Sequence, residues 1–360
     1  AAIREALAPV AAAGRARVVV DQPGPLSSLL LAVAADMALD VGFITPRAMR
    51  EGICLFGGEV KTDARDARVI AELSLRIPSL VRAVKGATEA SEELSALLSF
   101  DREATERCRR AEARVHELLL RSCPALGELL GGQRVKRKLP LALLERYGGA
   151  VGLSEAGRDE VLRFARGLGR VGASVEPRVD EVFAAIGSQT VVPPGTRFTE
   201  ELVRIEAAEL RAALGARRVA SARIGEVLAG LPEAEILMSM PGLGPVTCAT
   251  FLAEVPDVGA FAGPSQLAAY AGLAPRVRQS GRSLNSTTRP RGGNRRLKRV
   301  LVLSAARSVD FCEESRAYYD RKRSEGRCHY SACMALARRR INVIYAMLRD
   351  GKRYGEQQEG

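Results

Sequence analysis

The stretch RVVVDQPGPLSSLLLAVAADMALDVGFIT, residues 17–45, decides the fold of the N-terminal region. It begins with a β-branched run over Arg17–Asp21, continues with a helical pattern over Leu26–Met37, and ends with a second β-branched run over Val41–Thr45. Alternation of strand, helix and strand predicts a largely parallel sheet. A further helix is predicted over Pro46–Leu55, because proline favours the first turn of a helix. We therefore expect an α/β domain at this end of the chain.

Two acidic residues follow on one predicted helix, which covers residues 63–76. Asp63 and Asp66 are three residues apart and therefore share a face of that helix. Capping of the helix by Thr62 and Asp63 explains Asp63, but it leaves Asp66 on the inner face unexplained. The two aspartates are predicted to extend the apolar stripe formed by Val69, Ile70, Leu73 and Ile77.

A third carboxylate, Asp21, ends the first predicted strand. Ligands and catalytic groups of parallel α/β sheets gather at the carboxyl ends of the strands. Buried like charges are costly unless a cation neutralises them, and carboxylate oxygens suit hard divalent ions. Asp21, Asp63 and Asp66 are therefore predicted to converge on Mg²⁺ or Mn²⁺.

The middle of the chain is predicted to be helical. Residues 88–125 and 199–230 are long and rich in Ala, Leu, Glu and Arg, and they are expected to pair as an antiparallel hairpin or as the coil of a dimer. The stretch 127–198 between them has the pattern of short, broken helices. From residue 233 onward the chain is predicted to be helical, with turns marked by glycine and proline.

Composition excludes several classes of protein. No stretch approaches eighteen unbroken apolar residues, and no signal-peptide pattern is present, so we expect a cytoplasmic protein without a membrane span. Seven cysteines without a C-x-x-C pair argue against a disulfide framework and against a zinc ribbon. With only two histidines among 360 residues, a histidine-based metal site or a Ser-His-Asp triad is not expected.

Positive charge is concentrated near the C-terminus. Residues 1–270 carry 33 basic and 34 acidic side chains, whereas residues 271–353 carry 21 basic and 6 acidic ones. Between Arg276 and Arg299 there are nine basic residues and no acidic one. Such a field of one sign attracts polyanions, and the absence of an accompanying apolar face favours nucleic acid over a membrane surface.

Two sequence features in this half of the chain are typical of nucleic-acid contacts. Met240–Pro245 (MPGLGP) separates two predicted helices, and its Gly242 and Gly244 would let a phosphate approach the next helix, as in a helix-hairpin-helix. An ordinary tight turn between packed helices explains the same pattern equally well. Further contacts are expected from the start of the helix predicted over Arg295–Val309, and the residues concerned are Arg291, Asn294, Arg295, Arg296 and Lys298.

Ser280 lies in a non-helical stretch of the basic segment. It is flanked by Arg278 and Arg282, with Arg276 nearby, and arginines stabilise charge on a transferring phosphoryl group. A serine nucleophile needs activation, and no histidine is nearby in the sequence, so a base or metal must come from elsewhere. A serine that only contacts phosphate is the simpler interpretation, and Ser283 and Ser286 are rival candidates.

Taken together, these motifs resemble those of the DEDD insertion-sequence transposases. The N-terminal resemblance is carried by VVVDQPG (18–24) and GEVKTDARDARVIAE (58–72). The C-terminal resemblance is carried by MPGLGPVTCATFLAEV (240–255), LAAYAGLAPRVRQSGRS (267–283), RGGNRRLKRVLVLSA (291–305) and SRAYYDRKRSEGRCHYSACMALARRRINVIYAMLRDG (315–351). Each piece alone is weakly specific, whereas the combination covers nearly the whole chain.

The resemblance implies an α/β RuvC-like, ribonuclease-H-type domain over residues 1–85 with four metal-binding acids. It implies a helical coiled-coil linker over 86–232 and an all-α transposase domain over 233–353 that carries a nucleophilic serine, followed by a tail over 354–360. It also implies DNA as substrate, a noncoding guide RNA of the element, and a homodimer or a higher oligomer.

Residue by residue, Asp21 falls in the position usually occupied by Glu, Asp63 and Asp66 fill the last two acidic positions, and Ser280 matches the serine of a Ser-Gly motif. Lys298 stands where an arginine is often found. The first acid of the family lies on an earlier strand, so the chain is expected to lack its N-terminal strand and to bind metal weakly.

Three functions are compatible with these residues. One is a transposase that breaks and rejoins DNA through Ser280, in a composite site completed by the metal-binding acids. Another is a metal-dependent, structure-specific nuclease in which water attacks and Ser280 only binds phosphate. The third is a non-catalytic DNA-binding remnant of a decayed element. A covalent link between protein and DNA separates the first function from the second.

Overall fold

The computed structural model describes residues 1–21, 25–44, 46–56, 62–83, 88–169, 174–274, 276–280, 284–288 and 293–356. The chain forms two compact units, Ala1–Thr88 and Glu89–Gly360. None of the described helices combines the length and the apolar content needed to cross a bilayer.

The first unit is an α/β structure with a three-stranded sheet in the order β1-β2-β3. Its elements are α1 (Ala2–Ala12), β1 (Arg17–Val20), α2 (Pro25–Asp36), β2 (Asp40–Ile44), α3 (Pro46–Ile53), α4 (Asp63–Arg76), a 3₁₀ turn (Pro78–Leu80) and β3 (Val81–Ala83). The predicted parallel pairing of the first two strands is confirmed, with Val18 opposite Val41 and Val20 opposite Phe43. The sheet is nevertheless mixed, since the unpredicted β3 pairs antiparallel to β2.

A small apolar core holds this first unit together. Ile44 of β2, Met49 of α3, and Val69 and Leu73 of α4 are buried in it. Thr62 caps α4 by accepting a hydrogen bond from the Arg65 backbone N–H at 3.3 Å. The observed bounds of α4 are those predicted, because the cap and the apolar spacing are both local signals.

The second unit is mostly helical. Its elements are α5 (Glu89–Ser122), α6 (Pro124–Leu130), a 3₁₀ turn (Gly132–Lys136), α7 (Lys138–Tyr147), α8 (Ala150–Ala156), α9 (Arg158–Gly167), α10 (Val175–Gly187), α11 (Thr196–Ala229), α12 (Pro232–Met238), α13 (Pro245–Glu254), a 3₁₀ turn (Val258–Ala260), α14 (Pro264–Tyr270), β4 (Arg276–Ser280), β5 (Leu284–Thr288), α15 (Arg295–Phe311), α16 (Glu313–Ser324) and α17 (His329–Asp350).

The expectation of an all-α C-terminal domain is wrong. Strands β4 and β5 pair antiparallel, with Arg276 opposite Thr288 and Ser280 opposite Leu284. The two strands are rich in β-branched and small polar residues (RVRQS and LNSTT), which favour extended structure over helix. The region therefore carries a β-hairpin between α14 and α15.

Helices α5 and α11, each 34 residues and so about 50 Å long, pack antiparallel along their length. Arg223 pairs with Glu93 at 2.6 Å, and Arg217 pairs with Asp101 at 3.3 Å. The buried residues of α5 recur every three or four positions, which is the spacing of a coiled-coil seam. They include Leu94, Ala104, Cys108, Ala111, Val115 and Leu118. Of the two predicted arrangements, an antiparallel hairpin or the coil of a dimer, the antiparallel pairing is observed within this chain.

The helix pair joins two apolar cores. One core lies among α6–α10 and includes Val115 of α5 and Val203 of α11. The other lies among α12–α17 and includes Leu94 of α5 and Leu228 of α11. The C-terminal helices are therefore built onto one end of the long pair.

Glu200 fixes α11 to the start of α8. Its carboxylate is 2 % exposed and accepts hydrogen bonds from the backbone N–H groups of Val151 at 2.8 Å and Gly152 at 3.0 Å. These N–H groups belong to the first turn of α8, which lacks intrahelical acceptors. Burial raises the pKa of Glu200, and the two backbone donors only partly oppose that effect.

We predict that Glu200→Ala lowers the free energy of unfolding of the second unit by about 2 kcal/mol, because two buried donors lose their acceptor. Since the folded-state pKa lies above the unfolded one, ionisation of Glu200 costs stability as pH rises through that interval. The difference in the free energy of unfolding between wild type and Glu200→Ala should therefore become smaller as pH rises. Urea unfolding followed by helical circular dichroism measures both effects. Glu201 is the exposed neighbour, and Glu201→Ala is the control. An equally large loss of stability in Glu201→Ala would contradict the role given to Glu200.

Candidate nucleic-acid interface

The base of the β4–β5 hairpin is held by Asn294, the N-cap of α15. Its Oδ1 accepts from the backbone N–H groups of Arg296 at 3.1 Å and Leu297 at 3.0 Å. Its Nδ2 donates to Glu254 at 2.5 Å and to the Tyr270 hydroxyl at 3.2 Å, and its backbone N–H donates to the Tyr270 carbonyl at 2.7 Å. Asn294 was expected to contact nucleic acid, but these hydrogen bonds give it an anchoring role within the protein.

Gly293 completes this anchor by close backbone contact. It has a φ of +97°, and a Cβ at this position would lie 2.5 Å from the Cα and the N of Gly272. A side chain at Gly293 is therefore excluded both by conformation and by space. The chain leaves α14 at Gly272 and returns at Gly293, so this contact closes the stem of the hairpin.

Ser280 is the last residue of β4. The backbone pairing of Ser280 with Leu284 places it at the end of the hairpin away from the anchored stem, and its rival Ser286 pairs with Arg278 in the middle. Gly281–Ser283, and with them Arg282, lie outside the described residues. Ser280 and Leu284 therefore form the last pair of the described strands.

The turn between α12 and α13 is fixed by a buried arginine. Arg340 of α17 is 4 % exposed, and its Nη2 donates to the Pro241 carbonyl at 2.5 Å and to Ser304 Oγ at 3.1 Å. Burial lowers the pKa of Arg340 to about 10, which leaves the guanidinium charged at neutral pH. The side chain thus ties the turn to α15 and α17.

The two glycines of this turn have different surroundings. Gly242 has a φ of +82°, and a Cβ there would lie 2.5 Å from the Ser304 carbonyl oxygen and 3.0 Å from the Ser308 nitrogen. The close approach at Gly242 is therefore to the backbone of α15 rather than to a phosphate. Gly244 is exposed and has open space around it, at the N-cap of α13, which has no side-chain cap. A phosphate contact at this turn stays a prediction, and Gly244 is the glycine that leaves room for one.

The basic residues expected to bind nucleic acid are distributed unevenly. Arg295 is exposed on the first turn of α15, whereas Arg296 lies 3.5 Å from Glu254 in an ion pair. Lys298 lines a groove between α15 and α17. Arg291 lies outside the described residues, and Arg276 and Arg278 are placed only by the pairing of β4.

The three predicted metal ligands lie in the first unit. Asp21 directly follows β1 and is exposed, Asp63 is the exposed first residue of α4, and Asp66 is half-buried one turn before the buried Val69. The inward placement predicted for Asp63 is therefore wrong, because this residue belongs to the capped first turn.

Among the residues that the structure describes, no three Asp, Glu, His or Cys side chains are grouped to hold a metal ion. The carboxylate chemistry of Asp21, Asp63 and Asp66 suits a hard cation, but their arrangement does not form a three-ligand site. Convergence of these acids on a metal stays a prediction.

Comparison with known proteins places these features in a family. A model of the DEDD transposase domain of IS110 elements matches residues 1–124, and a model of the IS116/IS110/IS902 transposase family matches residues 234–320. The 43.6 kDa protein of insertion element IS110 from Streptomyces coelicolor is 39% identical over 95% of this chain and 84% of its own length. The chain belongs to the IS116/IS110/IS902 family of transposases.

Two further relatives extend over most of the transposase. The 44.8 kDa protein of insertion element IS116 from Streptomyces clavuligerus is 34% identical over 93% of this chain and 82% of its own length. The 42 kDa protein of insertion element IS900 from Mycobacterium paratuberculosis is 34% identical over 90% and 80%, respectively. The protein is therefore an enzyme of an insertion sequence, and DNA is its substrate.

Sequence reasoning missed three residues that position the interface of the transposase. Glu254 and Tyr270 hold Asn294, and Arg340 holds the turn at Pro241. Glu254 ends an apolar helix, and Arg340 lies in the run Arg338–Arg340. In the sequence, both residues therefore look like ordinary solvent-exposed charges. Their partners are 24 to 99 positions away along the chain, and only folding brings them together.

The glycine pair in the α12–α13 turn gives a matched test. We predict that Gly242→Ala lowers the stability of the second unit by about 2 kcal/mol or more, because it combines a positive φ with a backbone clash. Gly244→Ala should keep the stability of the wild type and weaken binding of duplex DNA by about fivefold if a phosphate lies against this residue. Thermal unfolding and fluorescence anisotropy measure the two effects.

Wild-type stability in Gly242→Ala would contradict the packing described for that residue. Wild-type DNA affinity in Gly244→Ala would show that the turn serves only to pack the helices.

Proposed function

We propose that the transposase breaks and rejoins DNA through a covalent bond to Ser280. The observation that carries this proposal is the position of Ser280 at the end of β4, in a segment whose flanking residues Gly272 and Gly293 are in close backbone contact. A nucleophile must be held in a defined position relative to the scissile bond, and a paired strand meets that requirement better than an unpaired loop.

The charge of the segment around the serine supports a phosphodiester substrate. Nine basic residues and no acidic one lie between Arg276 and Arg299. In the proposed reaction, Ser280 Oγ forms a bond to phosphorus while the bond from phosphorus to the leaving strand oxygen breaks. The hydroxyl proton is lost and the leaving oxygen is protonated. Arg278 and Arg282 would stabilise the charge on the phosphoryl oxygens, and the phosphoserine bond preserves the energy needed for rejoining.

The first unit is proposed to be a RuvC-like, ribonuclease-H-type domain. The parallel pairing of β1 with β2, and Asp21 directly after β1, support this assignment. Asp21, Asp63 and Asp66 would hold Mg²⁺ or Mn²⁺ there. Because the described residues do not group the three carboxylates, no step of the reaction is assigned to the metal.

The metal proposal has a direct test. We expect the chain to bind Mn²⁺ weakly and Asp66→Asn to abolish that binding, since Asp66 is the partly buried member of the set. Electron paramagnetic resonance of free Mn²⁺ measures it on the whole protein. Asp36→Asn is the control, because Asp36 lies in the same unit and pairs with Arg4 at the surface. Equal binding by wild type and Asp66→Asn would remove Asp66 from the ligand set.

The chain is further proposed to contain a coiled-coil linker, residues 86–232, followed by a transposase domain, residues 233–353. A noncoding RNA of the element is proposed to guide target choice, and the active form is proposed to be a homodimer or a higher oligomer. These two partners rest on the resemblance of the motifs to the family. Light scattering of the protein with and without DNA tests the oligomer, and dependence of strand joining on added element RNA tests the guide.

The serine proposal predicts a covalent protein–DNA adduct. The test uses a suicide DNA substrate that carries the element end. Its cleaved fragment dissociates, so the covalent adduct is trapped. Denaturing electrophoresis then detects the adduct. We expect adduct formation with wild type, its complete loss in Ser280→Ala, and its retention in Ser283→Ala and Ser286→Ala. The last two variants are matched controls because they remove the neighbouring hydroxyls of the same segment.

Three results would overturn the assignment. An adduct that persists in Ser280→Ala would place the nucleophile elsewhere, and loss only in Ser283→Ala or Ser286→Ala would move it to that serine. Strand cleavage by the wild type without any adduct would favour a nuclease in which water attacks and Ser280 binds phosphate.

A further inference from the structure

A groove of about 480 Å³ lies between α15 and the first turn of α17. One wall is a single face of α15, on which the cationic residues Arg295, Lys298 and Arg299 are followed one turn later by the apolar Val302, Leu303 and Ala306. The other wall is formed by His329, Tyr330 and Cys333 of α17. The volume lies within the range of roughly 300–1,000 Å³ that is typical of sites for small organic groups.

Among the described residues that line the groove, the charged side chains are all cationic. The charged residues that line it are the three cations of α15. The first turn of α15 and the first turn of α17 also carry no acidic residue. The cationic end of the groove is therefore complementary to a phosphate, which arginine binds well.

The groove is also lined by apolar and aromatic side chains. Leu303 is 52 % exposed and Tyr330 is 47 % exposed, so both offer surface to a ligand. A tyrosine ring and an aliphatic side chain in one groove are suited to stacking with a base.

We propose that this groove binds one unpaired nucleotide of a DNA strand, with its phosphate at Arg295, Lys298 and Arg299 and its base against Tyr330 and Leu303. A paired duplex presents phosphates to a protein but keeps its base faces stacked, so it would leave the apolar part of the groove unused. Breaking and rejoining strands exposes unpaired nucleotides. The assignment of DNA as the occupant of the groove therefore rests on the proposed function.

The test compares two DNA probes with the full chain. One is a blunt duplex, and the other is the same duplex with a short single-stranded tail that contains 2-aminopurine. Wild type should bind the tailed probe more tightly and change its 2-aminopurine fluorescence. Tyr330→Leu should weaken binding of the tailed probe by roughly five- to 100-fold, the cost of one lost base–aromatic stack, and should abolish the fluorescence change. Binding of the blunt duplex should stay within about twofold of wild type.

Two matched controls separate the groove from general effects. Phe198→Leu removes an exposed aromatic ring from α11 and should bind both probes as wild type does. Ala306→Leu fills the groove while keeping all three cations and should reproduce the effect of Tyr330→Leu. Ala208→Leu, at an exposed position of α11, is the control for that substitution. Thermal unfolding verifies that each variant folds. If Tyr330→Leu is destabilised, the binding of the two probes by Ala306→Leu tests the proposal.

Equal loss of both probes, or no loss of the tailed probe in either groove variant, would overturn the proposal. An RNA tail that binds at least about tenfold more tightly than the DNA tail, with the same dependence on Tyr330, would identify RNA as the occupant instead. The adduct assay and the tailed-probe assay use different DNA substrates and different variants. Failure of the serine assignment therefore leaves the result at the groove unaffected, and the reverse also holds.

Discussion

The antiparallel packing of α5 against α11 is the constraint on which the second unit depends. Two 34-residue helices, far apart in sequence, share a seam of small and branched apolar residues that continues into an apolar core at each end. The ion pairs beside the seam, such as that of Arg223 with Glu93, are half-exposed and contribute little energy. Burial of the seam therefore supplies the stability of the pair.

The C-terminal helices are built on one end of this pair, and buried polar contacts fix the turns between them. Arg340 holds the α12–α13 turn to α15, and Asn294 holds the base of the hairpin to α13 and α14. Both side chains satisfy backbone or carboxylate groups that burial would otherwise leave without partners. The α12–α13 turn and the start of α15 are therefore held by buried polar contacts with distant segments of the chain.

Two residues that the sequence marks as functional have structural roles in this fold. Asn294 and Gly242 both lie in motifs typical of nucleic-acid contacts, yet one caps α15 and the other packs against its backbone. Glycine and asparagine are favoured in both situations, since each tolerates positive φ or caps helix ends. Conversely, Tyr330 lines the groove beside α15, yet the sequence does not mark it, because an isolated tyrosine at the start of a helix has no distinctive pattern.

The sequence by itself determined the local elements of this transposase. The bounds of α4, the start of α15 and the two long helices follow from caps, proline positions and apolar spacing, which act over a few residues. It also determined the concentration of positive charge, since charge is additive along the chain. Only the tertiary structure decided that Arg340 reaches Pro241, that Asn294 meets Glu254, and that α5 packs against α11 within one chain. Those outcomes depend on partners distant in sequence, whose contacts form only when the helices pack and exclude water.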